Sequence, residues 1–575
     1  MNSTTSGMQR GGWCMGLLGL TLLALVARLV QINTMMAPRL IAVAERQRTG
    51  VRVVPARRGS IFDRRGRLLA GSRLRPSLYA DPSLIDNPAD TARKLGDMLG
   101  VDPGIIENEI RSAGAPRFCW LQRLVSREEA DAVRRMGLAG VGAVDEFARY
   151  WPMGSLAAHV LGYVGSDGQG LAGVERAGQE HLRARPGRQG VLRDARRRVL
   201  ATWGSRQAPR DGGHLVLTID AVIQEIVEHR LAESLDRYEA QSGLVIVMAP
   251  RTGDVLAMAC APTFDPPHPM RVDSDRRRNR TVTDPVEPGS VFKPFIMAAA
   301  LDAGLVDPDE QFDCHNGEYT FGHRVMHDTS PHGILTPKGI LVHSSNIGMG
   351  QVGTRMGNKR LRRCLSDFGF DERTQLGLAG ESRGLVPGLG RWNDYSTTSV
   401  PIGQEIAVTP IQLITAFCAL VNDGVLLRPR IVKARLDATG GVVAEFDEPE
   451  VVRRVVSVEV ARFITREALP AVVARYHPRL DPVPYDMLGK TGTAQVPYRD
   501  RKGYEPGAYL SSFVCAGPVA DPQVVVLVMI SRPNPVLGYY GSKVAAPAGR
   551  DIIRAVLDYM HAPATARLAT RDAGP

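Results

Sequence analysis

Cysteine is scarce and scattered in this chain of 575 residues: Cys14, Cys119, Cys260, Cys314, Cys364, Cys418 and Cys515, with no C-x-x-C pair. That usage argues against a cysteine metal cluster and against a disulfide scaffold, and leaves one bridge open. His315 stands beside Cys314, but no second ligand pair has metal spacing, so neither a metal site nor a cofactor is expected. A phosphate loop is missing too. The glycine-rich segment 162–173 is not closed by Lys-Ser or Lys-Thr and no apolar strand leads into it, so it reads as a structural turn. Long apolar runs are absent beyond the N-terminal region, which excludes a chain with several spans. Acidic residues are in deficit: 60 against 71 basic ones, a net charge of +11 and a pI near 9.4. Nucleic acid is the common partner of a basic protein, but an exported chain does not meet it, and none is expected. The basic runs 183–198 and 271–280 read as solvated faces; the alternative is attraction to anionic lipid or cell-wall polymers.

What is present begins at the N-terminus. Residues 11–27 are uncharged and mostly apolar, Arg28 interrupts, and 29–38 is again uncharged. A span needs about 20 residues, and an arginine near its end can snorkel. A cleaved signal peptide is the competing reading, but Ala24 and Ala27 are not spaced as a small-x-small site. The expectation is a transmembrane anchor over 11–33, residues 1–10 in the cytoplasm, and the rest outside the cytoplasmic (inner) membrane. Arg10 and the amino terminus are the only positive charges ahead of it. With 44% hydrophobic residues the remainder can build two or three domains with cores.

Residues 58–70 read as an extended segment, an Asp63-to-Gly66 turn and a second strand. Helical periods alternate with short loops over 88–140, and the basic, proline-containing 183–213 suits a linker or exposed hairpin. A new domain starts near His214. Residues 215–219 form a strand, and Asp220 caps a helix with Ile223, Ile226, Val227, Leu231 and Leu235 as its apolar stripe. Strands are expected at 243–249 and 255–260, a helical region over 337–422, strands at 487–495, 512–516 and 524–530, and a closing helix at 549–560. Strands from both ends flanking helices imply one sheet built from distant segments. The tail 562–575 is small and polar, and disorder is expected there.

Three motifs carry chemistry. Ser290-Val291-Phe292-Lys293 follows Pro288-Gly289 at what reads as a helix start. Residues three apart share a helix face, which sets the Lys293 amine next to the Ser290 hydroxyl, and a helix N-terminus favours an alkoxide-like oxygen. This layout makes serine a nucleophile without histidine, provided Lys293 is desolvated or near other cations and so can accept the serine proton. Ser344-Ser345-Asn346 and Lys490-Thr491-Gly492-Thr493 follow in order. S-x-x-K, S-x-N and K-T-G in that order are the signature set of penicillin-binding proteins and serine β-lactamases.

The chain resembles a class B penicillin-binding protein over most of residues 13–560. Arg278 to Ser290 is similar to the family's lead-in to the nucleophile. Arg58-Gly59 with Asp63-Arg64 and Gly66 is similar to its membrane-proximal motif, Gly173-Val174-Glu175 to the end of its pedestal core, and Gln404 to Gln412 to the helix start behind the active site. The resemblance implies an α+β multi-domain fold: an N-terminal transmembrane helix, an elongated pedestal of the dimerisation type over 34–213, and a penicillin-binding/transpeptidase (β-lactamase-like) domain over 214–561, an antiparallel sheet flanked by helices. It implies that Ser290 attacks the D-Ala-D-Ala peptide bond of peptidoglycan stem peptides or a β-lactam, with Lys293 as base. Ser344 then relays a proton to the leaving amine, Asn346 holds substrate backbone, and Lys490 supplies positive charge. Thr491 and Thr493 suit the donor's terminal carboxylate, Gly492 leaves room for it, and the backbone N–H groups of Ser290 and Thr493 form the oxyanion hole.

Within class B, 344–348 and 490–494 look like the division-specific FtsI type, a D,D-transpeptidase of septal wall. No glycosyltransferase-like region precedes the anchor, so the resemblance implies a membrane-embedded glycosyltransferase of the FtsW type and other division proteins as partners. The alternative within class B is the elongation branch. A β-lactamase or D,D-carboxypeptidase is disfavoured by the long segment between anchor and catalytic domain, a β-lactam sensor by the single span, and a degenerate scaffold by the intact motifs. One departure stands out: Glu405 occupies a position where relatives more often have glycine.

Overall fold

The computed structural model describes residues 4–114, 118–194, 199–476, 484–498 and 500–565. Residues 1–3 of the expected cytoplasmic tail, and 566–575 of the expected disordered tail, lie outside the described residues. The chain forms two compact units, Met1–Arg57 with Ala184–Asp211, and Arg58–Arg183 with Gly212–Pro575.

In the first unit, helix Thr4–Gln31 runs through a π-helical turn, Ile32–Met36, into helix Ala37–Arg48. Gly12–Val43 is long and apolar enough to cross a membrane, and none of it is buried in protein. With no protein neighbour to cover side chains such as Trp13, Leu17 and Leu23, a lipid environment is what such a surface fits. A three-stranded antiparallel sheet follows, with Gly187–Arg193 between Thr49–Val54 and Val199–Gln207. The segment 183–213 thus contains a hairpin, as its composition suggested.

The second unit is built on two sheets. One is a five-stranded antiparallel sheet in the order Val255–Ala261, Ser242–Met248, Val524–Ser531, Tyr504–Gly517, Leu488–Pro497. Successive side chains alternate between its faces. Val245, Val247, Val526 and Val528 pack against Ile223, Val227 and Leu231 of helix Ala221–Arg237 and against Val544, Ile552 and Val556 of helix Gly541–Tyr559. Leu244, Ile246, Leu527 and Met529 face the other layer, with Phe295 of helix Lys293–Asp302 and Ile414 and Phe417 of helix Pro410–Val421. The Pro410–Val421 helix opens on a capping box, Thr409 with Gln412, and both residues are buried. Two elements begin earlier than the sequence pattern indicated. Strand Tyr504–Gly517 starts in a polar stretch because Tyr504 pairs with Pro497, and helix Gly541–Tyr559 runs through Pro547 because Val544, Ala545 and Ala548 on either side are buried.

The other sheet joins residues far apart in sequence. Ile61–Phe62 pairs with Leu68–Ala80 on one side and, in parallel, with His214–Leu217 on the other, which continues into Val432–Leu436. At its edge lies Cys119–Gln122, a strand absent from the helical periods of that region. The buried Glu175 carboxylate accepts from Arg58 Nε at 2.7 Å and Arg149 Nε at 2.5 Å, and Arg58 also donates to the carbonyls of Gly168 and Glu175. A buried charge is tolerable when it is paired, and here the Glu175 carboxylate pairs with both Arg58 and Arg149, while Arg149 Nη1 donates to Gly59 O at 2.7 Å. Asp63, also buried, accepts from the backbone of Arg65 and Arg67 at 2.8 Å and of Ala221 at 3.1 Å.

Candidate active site

Ser290 lies in a 3-10 turn, Gly289–Phe292, and the α-helix begins only at Lys293. The pair therefore sits on one tight turn rather than on an α-helical face. Gly289 has φ +57°, and its N–H donates to Gly403 O at 3.1 Å. A side chain on Gly403, itself at φ +78°, would overlap the Gly289 carbonyl. The Pro288-Gly289 break thus places the nucleophile turn against a second left-handed backbone position.

Ser344 ends the short helix Pro337–His343 in a left-handed conformation, φ +57°. Such a backbone costs about 1–3 kcal/mol for a non-glycine residue and persists where its surroundings enforce it. Ser345, fully buried, caps helix Asn346–Asp367: its hydroxyl accepts from Gly348 N at 2.9 Å and donates to Asp328 Oδ2 at 2.6 Å. Asp328 also accepts the backbone N–H of Asn346 and, at 3.0 Å, of Ile347. Sequence reasoning missed Asp328. It follows the hairpin Glu318–Phe321/Arg324–His327, where no local pattern marks it.

Two buried lysines converge on one hydroxyl. Lys293 Nζ lies 3.2 Å and Lys490 Nζ 3.0 Å from Ser344 Oγ. Lys293 also donates to Ser344 O at 2.5 Å and Asn346 Oδ1 at 2.8 Å, and Lys490 to Thr491 O at 3.0 Å. Burial pushes the Lys293 amine well below its ordinary value, the Lys490 charge pushes it further, and Asp328 opposes both. Burial, with Arg475 nearby, brings Lys490 down to about 7. A neutral amine has two N–H donors and one lone pair. At Lys293 the two carbonyl oxygens can take the donors and leave the lone pair for a hydroxyl proton. Among the described residues no hydrogen bond joins Ser290 Oγ to Lys293 Nζ. Catalytic contacts are often longer without substrate.

Lys490, Thr491, Gly492 and Thr493 lie on the edge strand Leu488–Pro497. An edge strand leaves alternate backbone groups free to pair with an added extended peptide. A side chain at Gly492 would come within 2.5 Å of Ser512 Oγ and 3.1 Å of Val291, in the turn of the nucleophile. Thr493 Oγ1 accepts from Gly541 N at 3.0 Å, so its own proton is free to point elsewhere. The motifs from 290, 344 and 490 are thus brought together as expected, while Gly541 was not anticipated.

Glu405 has φ +63°, a region in which glycine is the usual occupant. Ser396 Oγ donates to Glu405 Oε2 at 2.8 Å, and Glu405 N donates to Glu287 Oε1 at 3.2 Å. Tyr504 donates to Glu287 Oε2 at 2.9 Å, and burial raises the Glu287 carboxyl. The unusual residue is held by local hydrogen bonds beside the lead-in to Ser290.

A family model for the penicillin-binding protein transpeptidase domain matches residues 243–554, and one for the penicillin-binding protein dimerisation domain matches 53–217. The probable peptidoglycan D,D-transpeptidase PenA of Neisseria meningitidis is 31% identical over 542 residues, 93% of this chain and 90% of that one. Peptidoglycan D,D-transpeptidase FtsI of Escherichia coli is 29% identical over 561 residues, 95% and 91% of the two chains. The structure of penicillin-binding protein 3 of Mycobacterium tuberculosis complexed with aztreonam superposes with a TM-score of 0.69 at 29% identity, covering 90% of this chain and 98% of that one.

Proposed function

Since the chain belongs to the class B penicillin-binding proteins and is a peptidoglycan D,D-transpeptidase, we propose that Ser290 is its nucleophile and septal wall its workplace. Ser290 Oγ attacks the carbonyl carbon between the two terminal D-alanines of a donor stem peptide. Its proton passes to Lys293. The C–N bond breaks, the proton reaches the leaving amine through Ser344, and D-alanine departs. An acceptor amine then attacks the Ser290 ester, an amide forms, and the serine is restored. Asn346 holds donor backbone, and Lys490 with Thr491 and Thr493 receives the donor carboxylate. Gly492 keeps the strand open to it, and the N–H groups of Ser290 and Thr493 hold the oxyanion.

The observation that carries this reading is the convergence of Lys293 and Lys490 on Ser344 Oγ, with both amines buried. β-Lactams would acylate the same serine, in keeping with the aztreonam complex of the M. tuberculosis relative. The test is labelling with a fluorescent penicillin followed by peptide mapping. The label belongs on a peptide containing Ser290, and Ser290→Ala should abolish it while the protein stays folded. Persistent labelling of the variant would overturn the assignment.

The septal role is supported by 344–348 and 490–494 and by the FtsI relative. It brings with it a membrane-embedded glycosyltransferase of the FtsW type as the source of uncrosslinked strands. In this reading the helix Thr4–Gln31 anchors the chain with its N-terminus inside. The pedestal (34–213) and the catalytic domain (214–561) then lie outside. Arg39, Arg46 and Arg48 follow the span and on charge count alone favour the reverse orientation, but long domains translocate largely regardless of flanking charge.

A further inference from the structure

Two stretches that the three motifs leave unused meet in the second unit. The glycine-rich segment 162–173 and the basic run 271–280 both contribute to a cavity of about 180 Å³, lined by residues within 171–176, 277–283 and 378–380 and by His159. Among the described residues, none from the S-x-x-K, S-x-N or K-T-G motifs lines it. The glycines serve the backbone: a side chain on Gly162, at φ +76°, would overlap the Ala172 carbonyl, and one on Gly173, at φ +55°, the Val160 carbonyl. The segment therefore packs main chain against main chain, and Arg176 follows it at the cavity.

The charges around this cavity do not all cancel. Arg278 pairs with Asp275 at 2.8 Å and Asp284 at 3.0 Å, and Arg280 pairs with Asp284 at 2.9 Å and with Asp275, so two cations meet two carboxylates. Asp273 accepts the backbone N–H of Arg276 at 2.8 Å. Arg277 has uncharged partners: Nη1 donates to Tyr163 Oη at 3.3 Å and lies 3.0 Å from Met270 Sδ, and Nε donates to the Asp273 carbonyl at 3.3 Å. Among the described residues neither Arg176 nor Arg277 forms an ion pair, yet both line the cavity. His159 adds no charge of its own, since burial brings its ring down to about 4, and its Nε2 lies 2.9 Å from Arg276 O. Leu171, Ala172, Leu378 and Ala379 supply an apolar wall. A cation without a counter-ion beside such a wall attracts an anion more strongly than it would in open water.

We propose that this cavity binds a small organic carboxylate carried on an aliphatic stem, with Arg176 and Arg277 as its counter-ions. A guanidinium meets a carboxylate through two parallel N–H···O bonds. Small-molecule sites combine mostly apolar walls with a few placed polar groups. The apolar wall separates this ligand from a bare inorganic anion, which would leave Leu171 and Leu378 uncovered. Two sources share the chemistry: a free aliphatic carboxylate, and the carboxylates of the peptidoglycan stem peptides on which the enzyme works.

The experiment takes the full chain in detergent micelles and first acylates it with a fluorescent penicillin, which closes the catalytic cleft to added ligand. Equilibrium dialysis then follows glutarate, a soluble stem peptide and inorganic phosphate. Glutarate or the stem peptide should bind once per chain. Arg176→Gln and Arg277→Gln should each weaken that binding roughly tenfold, while penicillin labels both variants at the wild-type rate. Either ligand bears the proposal out, and the tighter of the two identifies the source. No saturable binding of either by the wild-type chain, a result that needs no variant, would overturn the proposal. Binding that either variant leaves unchanged would overturn it as well, and so would phosphate binding as tightly as glutarate. An absent penicillin label would count against the Ser290 reading alone, because the glutarate result is still decided by the two arginine variants.

Discussion

Ser344 Oγ lies between two amines that cannot both stay charged at little cost, since each is buried and the Lys490 charge lowers Lys293 further. In the proposed mechanism Lys293 is the base only when neutral, so acylation should fall as acid protonates it. In the same proposal Lys490 receives a carboxylate only when charged, and with its value brought down to about 7 recognition should fade as pH rises through neutrality. The penicillin acylation rate should therefore be bell-shaped in pH, and Lys490→Arg, which keeps its charge, should carry the alkaline limb upward. An unmoved alkaline limb in that variant would assign it to another group. Asp328 gives a second expectation. Its carboxylate holds Ser345 and the backbone of Asn346 and Ile347, so Asp328→Ala should slow acylation roughly 100-fold through misplacement of Asn346. The same variant should lose about 1–3 kcal/mol of stability. Denaturant melts and stopped-flow labelling measure both. The convergence of Lys293, Ser344 and Lys490 was legible in the sequence because each motif is local and the three stand in order. Asp328 was not, because it reaches Asn346 across a fold and no spacing encodes that contact.

At the scale of elements, the site is a meeting of a 3-10 turn, a helix end and an edge strand, each fixed by backbone rather than by side-chain bulk. Gly289 and Gly403 touch through main chain with both residues at positive φ. Gly403→Ala should therefore cost about 1–3 kcal/mol and slow acylation by moving the nucleophile turn, seen as a lower Tm together with a lower labelling rate. Labelling at the wild-type rate would show that the turn holds its place without this contact. The central strands were legible from apolar runs, since both faces of 244–248 and 524–530 are buried. The starts of Tyr504–Gly517 and Gly541–Tyr559 were not, because pairing with Pro497 and burial around Pro547 outweigh local propensity. Ser290 stands at a helix start as its sequence indicated, but in a 3-10 turn ahead of the α-helix, since S-x-x-K spacing is satisfied by one 3-10 turn as well as by an α-helix.

At the scale of the molecule, the septal reading makes its own prediction: cells depleted of the protein should grow as filaments with failed septa, counted by microscopy, whereas rounded, swelling cells would move it to the elongation branch and leave the Ser290 chemistry as it is. Class, domain order and the long apolar N-terminal helix were legible because motif order and one apolar run survive without knowledge of contacts. The cavity that Arg176 and Arg277 line was not, because 171–176, 277–283 and 378–380 are distant in sequence and only the fold unites them. The bond from Gly541 N to Thr493 Oγ1 has a consequence in time. Ser290 is made long before Gly541, and at roughly 5–20 residues per second the helix that supports the Thr493 hydroxyl trails the nucleophile by roughly 10–50 s. During that interval an emerging chain has Ser290 but not the bond that fixes the Thr493 hydroxyl, so the pocket proposed for the donor carboxylate is finished only once the closing helix is made.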